Sequence, residues 1–223
     1  MERVALITGA TGALGSVVAE TFTADGWRIV TPVRRGTANL THPTVAVVVA
    51  DVSTEEGAAY AVERTMEWGG RLDAVVHTVG GYHGGAPLHE TAVADWDGMM
   101  SANLRSAFLV ARAAIPRMRD GGSLVFVSSR AALKGRKGNA AYAVSKAALL
   151  TLVEAIAEEN RGRIRANAVL PGTIDTPDNR AAMPDAKHER WTPPAEIARV
   201  ILFLASDASA PVSGAAVPVY GNS

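Results

Sequence analysis

Tyr142 and Lys146 stand four residues apart in the run Tyr-Ala-Val-Ser-Lys. On a helix that spacing puts both side chains on one face. A phenol titrates near pH ~10 in model peptides, too high for acid–base work at neutral pH. A neighbouring ammonium favours the phenolate and lowers that pKa. The pair is therefore a way to make a proton donor and acceptor from a tyrosine. The same spacing also occurs on solvated helix faces, so the chemistry depends on other residues converging there.

A second group lies near the start, in Thr8-Gly9-Ala10-Thr11-Gly12-Ala13-Leu14-Gly15. Glycines let the backbone turn tightly and approach a pyrophosphate, and the following helix offers free amides and a positive dipole end. An ordinary glycine-rich turn has the same composition. The position after an apolar first strand favours nucleotide binding by Gly9, Thr11, Gly12, Ala13, Leu14 and Gly15. Some twenty residues on, dinucleotide sites place an acid on the adenosine 2′-hydroxyl, or an Arg on a 2′-phosphate. Here the chain reads Val33-Arg34-Arg35, without an acid. The fork of Arg34 suits a phosphate, so NADP(H) is the preferred cofactor and NAD(H) the alternative; two solvated arginines are the plainer reading. Asp51, followed by Val52, is read as an adenine contact or a helix cap, with Ser53 competing for the cap.

These groups need elements to hold them. Short apolar, β-branched runs recur at 4–8, 29–33, 45–50, 74–79, 124–128, 166–170 and 216–219. Helical periodicity marks 14–24, 57–68, 96–118, 140–160 and 195–205. Strand and helix in alternation predict an α/β fold of Rossmann type, doubly wound, with a mainly parallel seven-stranded sheet and helices on both faces. The apolar run Val45-Ala46-Val47-Val48-Val49 predicts a strand buried on both faces. With no linker or repeat in 223 residues, one nucleotide-binding domain over 1–223 is expected. The irregular segments 80–91 and 172–194 follow strands, where ligands bind in open α/β sheets.

Composition narrows the function. Lys+Arg and Asp+Glu both count 22, which offers nothing to nucleic acid or a membrane surface. The absence of cysteine excludes disulfides and thiolate chemistry. Without a signal pattern or an apolar run of about 18 residues, a cytoplasmic protein is expected.

In these motifs the chain resembles the short-chain dehydrogenase/reductase family along its full length. The glycine turn is similar to the family's Thr-Gly-x-x-x-(Gly/Ala)-x-Gly element, with Ala13 at the middle position; its spacing also resembles the longer, sugar-nucleotide-modifying branch. Asp51-Val52 looks like the adenine contact. Asn103 looks like the helix asparagine that supports a proton-relay water. Ser129, thirteen residues before Tyr142, has the spacing of the catalytic serine. Pro171-Gly172-Thr173-Ile174-Asp175-Thr176 is similar to the element that cups the nicotinamide carboxamide, which implies Pro171, Ile174 and Thr176. The family's Asn-Asn-Ala-Gly appears here as His77-Thr78-Val79-Gly80, so Thr78, Val79 and Gly80 occupy the cofactor-facing positions. The loop after Thr176 resembles that of dihydropteridine reductases, a subgroup that lacks the serine and prefers NADH.

The resemblance implies a set of roles. Tyr142 protonates a carbonyl oxygen as hydride reaches its carbon, Lys146 lowers the Tyr142 pKa and holds the nicotinamide ribose, Ser129 hydrogen-bonds the substrate oxygen, and Asn103 orders a water. A small carbonyl or alcohol is the expected partner, and the family implies a homotetramer or dimer. Pteridine reduction and a catalytically silent cofactor-binding regulator are the alternatives. No metal site is expected. His83, His89 and Glu90 fit no ligand motif and are read as loop residues. Asp95 is read as a helix cap before Trp96. Trp191 is divided between lid and core, and the Arg161-Gly162-Arg163 cluster is read as a helix end.

Overall fold

The computed structural model describes residues 2–36 and 42–221. Seven strands form one parallel sheet: β1 (Val4–Thr8), β2 (Arg28–Val33), β3 (Val45–Val49), β4 (Ala74–His77), β5 (Gly122–Val127), β6 (Ile164–Pro171) and β7 (Ala216–Val219). Their order is β3-β2-β1-β4-β5-β6-β7. The order reverses between β1 and β4, so a crevice opens beyond their carboxyl ends, where Thr8 and His77 lie opposite each other.

Alternation along each strand divides the core into two layers. Leu6, Val75, Leu124 and Phe126 pack with Val62 of α2 (Glu55–Gly69) and Val110. Leu149 and Val153 of α5 (Ala140–Glu159) complete that layer. Ala5, Ile7, Val76 and Val125 face the other way. There they meet Val18 and Phe22 of α1 (Ala13–Ala24) and Ile197 and Ile201 of α7 (Pro194–Ala205). By length and apolar composition alone, α5 would also suit a membrane, contrary to the sequence expectation. Its buried face packs into the sheet core, as in a core helix.

Four other expectations are corrected. β3 is an edge strand that lacks a full cover on one face, and Val49 is 63% exposed. The helix expected over 96–118 is four pieces: α3 (Val93–Met100), a π turn over Ser101–Arg105, α4 (Ser106–Ala114) and a 3-10 turn over Ile115–Arg117. It starts before Asp95, which is no cap but faces His83 at 3.3 Å. Segment 172–194 is partly regular. Thr176 caps α6 (Pro177–Ala182) by accepting from the Asn179 amide at 3.2 Å, with Pro177 in the first turn, where its missing N–H does no harm.

Candidate active site

Tyr142 lies in the first turn of α5 and Lys146 one turn on. Ser129 follows β5 and caps a short 3-10 turn, its Oγ accepting from the Ala131 amide at 3.1 Å. The Ser129 hydroxyl hydrogen-bonds the Tyr142 phenol. Lys146 is almost fully buried, and its Nζ donates to the Val127 carbonyl at 2.9 Å. Nζ stands 6.0 Å from the Tyr142 ring centre.

Asn103 lies in the π turn, an irregularity often found at functional sites. It is completely buried. Its Oδ1 accepts from the Gly81 amide at 2.9 Å, and its Nδ2 donates to the Gly81 carbonyl at 3.1 Å and to Ser145 Oγ at 3.0 Å. Ser145 Oγ in turn donates to the Tyr142 carbonyl at 2.8 Å. Asn103 therefore ties the loop after β4 to the turn that carries Tyr142. Gly80 fits between these groups because it has no side chain: a Cβ there would meet Asn103 Oδ1 at 2.7 Å and Lys146 Nζ at 3.1 Å.

Burial governs the electrostatics. It pushes the Tyr142 phenol above its ordinary pKa, partly opposed by the Ser129 hydrogen bond and reinforced by Tyr82. It pulls the Lys146 ammonium down to about 8. The expected lowering of Tyr142 by Lys146 is not the dominant effect, since the ammonium is turned to a backbone carbonyl. At neutral pH the tyrosine is a protonated phenol, the form that can give a proton.

The glycine turn has the shape a pyrophosphate needs. Gly9 has φ +80°, and a Cβ on Gly15 would stand 2.0 Å from the Gly9 carbonyl oxygen. Gly12 is the N-cap of α1 without a side-chain cap bond, so the amides of Ala13 and Leu14 are open to a ligand. Thr11 is exposed beside them. Thr78 Oγ1 donates to the Thr8 carbonyl at 2.7 Å and stands directly under Gly9 and Gly15. These features fit a dinucleotide phosphate.

Arg34 and Arg35 are exposed just past β2. Asp51 past β3 accepts from the Ser53 hydroxyl at 2.7 Å and the Ser53 amide at 3.0 Å, and these bonds hold its carboxyl below the usual range, aided by the charge of Arg34. The cap of α2 is Thr54, not Asp51 or Ser53, with Oγ1 accepting from the Gly57 amide at 3.0 Å. Val52 and Val79 turn their side chains to the core, leaving only backbone for a ligand. Pro171 ends β6, and Ile174 bridges to Thr192 beyond it. Trp191 is 9% exposed and so belongs to the base of this loop, with its ring centre 4.4 Å from that of His188 and tilted to it by 52°.

Three residues of the site escaped sequence reasoning. Ser145 lies inside the Tyr-to-Lys run and links Asn103 to it. Tyr82, 66% exposed, sets its ring edge-to-face against Tyr142 at 5.1 Å. His77 is fully enclosed, with Nδ1 2.9 Å from Thr8 Oγ1 and Nε2 3.1 Å from Ser106 Oγ. Ser106 gives its proton to the Ala102 carbonyl at 2.7 Å, so it accepts from Nε2–H, and Thr8 donates to Nδ1. The ring is neutral, and burial pulls its pKa to about 3, aided by the charge of Lys146. His77 and Thr78 thus brace β4 against β1 where the family has asparagines. Among the described residues no cluster of His, Asp and Glu suits a metal.

Residues 9–221 match the family model described as enoyl-(acyl carrier protein) reductase. The 2-(R)-hydroxypropyl-CoM dehydrogenase of Xanthobacter autotrophicus is 34% identical over 99% of this chain and 98% of its own. The dihydropteridine reductase of Dictyostelium discoideum is 31% identical over 97% of this chain and 94% of its own. The crystal structure of a blue fluorescent protein from a metagenomic library, in complex with NADPH, superposes with a TM-score of 0.89 at 29% identity, covering 99% of this chain and 97% of that one. With its parallel sheet, glycine turn and Tyr–Lys helix, the chain belongs to the short-chain dehydrogenase/reductase family, nicotinamide-dependent oxidoreductases of alcohols and carbonyl compounds.

Proposed function

We propose that this protein reduces a carbonyl compound with NADP(H), with Tyr142 as general acid. The observation that carries the reading is the Ser129 hydroxyl hydrogen-bonded to a phenol that burial keeps protonated. The cofactor supplies hydride to the carbonyl carbon. Tyr142 gives its proton to the carbonyl oxygen, and Ser129 donates a hydrogen bond to that oxygen as negative charge gathers on it. Lys146 holds the ribose, and its ammonium restores the proton to Tyr142 through a water ordered at the Asn103 turn.

The pyrophosphate would lie on Gly9, Thr11, Gly12, Ala13, Leu14 and Gly15, with adenine at Asp51 and Val52. Thr78, Val79 and Gly80 would line the ribose, and Pro171, Ile174 and Thr176 the nicotinamide. Exposed Arg34 and the lack of an acid there support the 2′-phosphate. NAD(H) remains the alternative. The chain is read as one domain acting on a small molecule in the cytoplasm. Association into a dimer or tetramer is supported by Phe108 and Val144, half-exposed on α4 and α5.

Two measurements test this. Tyr142→Phe should lose about 100-fold or more in carbonyl reduction while binding NADPH as tightly as the parent; full turnover would defeat the assignment. Fluorescence titration should show tighter binding of NADPH than NADH, and the reverse would overturn the Arg34 reading. Pteridine reduction is a second reading, favoured by the relative from Dictyostelium discoideum. Turnover of a quinonoid dihydropterin, faster than of simple ketones, would select it. Bound nucleotide without any turnover would select a regulator.

A further inference from the structure

Between residues 121 and 153 the chain carries five Lys and Arg and no Asp or Glu, although its net charge is zero. Lys146 is buried, and Arg130 lies over the Tyr220 ring at 5.4 Å. The other three, Lys134, Arg136 and Lys137, are exposed and form no ion pair among the described residues. Elsewhere exposed arginines are commonly paired: Arg3 with Asp25, Arg64 with Glu67, Arg112 with Glu55, Arg180 with Asp175. Among the described residues, exposed cations without an ion pair stand close together in sequence at three places: Arg34–Arg35, this loop, and Lys187 with Arg190.

The loop has a particular position. It starts one residue after Ser129 and ends three residues before Tyr142. It is pinned to the loop after β4, with the Gly85 amide donating to the Gly138 carbonyl at 2.6 Å. A side chain at Gly84 would meet that carbonyl at 2.5 Å, so the two backbones touch. Asn139 closes the turn by accepting from the Arg136 amide at 2.9 Å. The loop that carries the cations is therefore held beside the segment of Tyr82, whose ring packs on Tyr142. They are separate from the cofactor phosphate end, since β2 and β5 lie three strand steps apart, about 14 Å. Facing carboxylates already have partners: Asp95, which lines a small pocket with Gly138 and Ala140, stands 3.3 Å from His83. Loop 80–91 has one carboxylate, Glu90, which faces His89 at 3.4 Å. Segment 172–194 has four acids against three Lys and Arg.

We propose that this loop recognises an anion, so that the substrate is a carbonyl compound with a carboxylate or phosphate at the end remote from the reacting carbon. The inference rests on the carbonyl-reductase reading and adds the substrate class. The reacting end meets a neutral phenol and a serine, and the remote end meets unneutralised positive charge. An anion there gains from all three cations, and a neutral analogue gains from none.

The test uses matched pairs at saturating NADPH: 4-formylbenzoate against its methyl ester, and acetoacetyl-coenzyme A against the acetoacetyl thioester of N-acetylcysteamine. In at least one pair the parent should prefer the anion in kcat/KM. The variant K134Q/R136Q/K137Q should lower that preference about tenfold, as two or three surface ion pairs together would. A control, R117Q/R199Q, should leave it unchanged. Raising salt from about 0.05 to about 0.5 M should erode the preference in the parent and not in the variant. The pair that responds tells carboxylate from phosphate. Equal use of both members of both pairs, or an equal loss on both in the triple variant, overturns the anion site and leaves the carbonyl-reductase reading standing. Failure to reduce any of the four while NADPH still binds overturns both.

Discussion

Lys146→Met should make the protein more stable while removing its activity. The Lys146 ammonium, 5% exposed, has its pKa drawn from 10.5 to about 8 by burial. At about 1.36 kcal/mol per pKa unit, holding that charge at neutral pH costs about 3 kcal/mol relative to the unfolded chain. Methionine has similar length and no charge, but it abandons the 2.9 Å hydrogen bond to Val127, worth about 1 kcal/mol. The net gain is about 2 kcal/mol, or roughly a 1 M rise in urea midpoint.

The pH dependence identifies the cause. Between about 8 and 10.5 the unfolded lysine binds a proton that the folded one has released. The stability of the parent therefore rises with pH in that window, by up to about 1.4 kcal/mol per pH unit. The advantage of the methionine variant should be full below pH 8 and shrink through pH 9.5. Urea melts of both proteins at pH 7 and 9.5 measure it. A variant less stable than the parent at pH 7, or a difference that ignores pH, would refute the charge-burial argument.

Gly15→Ala should fold and lose at least about tenfold in NADPH affinity, because its Cβ would drive the Gly9 carbonyl out of the phosphate cradle; unchanged nucleotide titration would contradict the cradle. His77 binds its proton near pH 6.5 when unfolded and near 3 when folded, so the parent should lose stability as pH falls from 6.5 towards 3. His77→Asn should flatten that slope in urea melts, and an identical acid slope in both proteins would show that the neutral buried ring is not its source.

Much of the site was legible because it is local. The Tyr142–Lys146 spacing, the glycines after β1 and the arginines after β2 are each confined to a few residues, where helix period and turn geometry act. The parallel sheet followed from the alternation of apolar runs and helical stretches. Burial of β3 on both faces did not follow, because cover depends on which helices reach the sheet edge. The π turn at 101–105 and the cap at Thr54 also went unread. The first is set by how Asn103 meets Gly81 and Ser145, and the second by which of Asp51, Ser53 and Thr54 reaches the free Gly57 amide.

What the sequence by itself determined is the list of chemical groups and their local geometry: a phenol and an amine on one helix face, a turn open to phosphate, cations where an acid would select NAD(H). What only the tertiary structure decided is their protonation. Tyr142 was expected to be drawn towards phenolate by Lys146; folding instead buries both, raises the phenol and lowers the amine. Desolvation depends on every segment packed around a group, including β5 and the loop after β4, and no spacing along the chain records it.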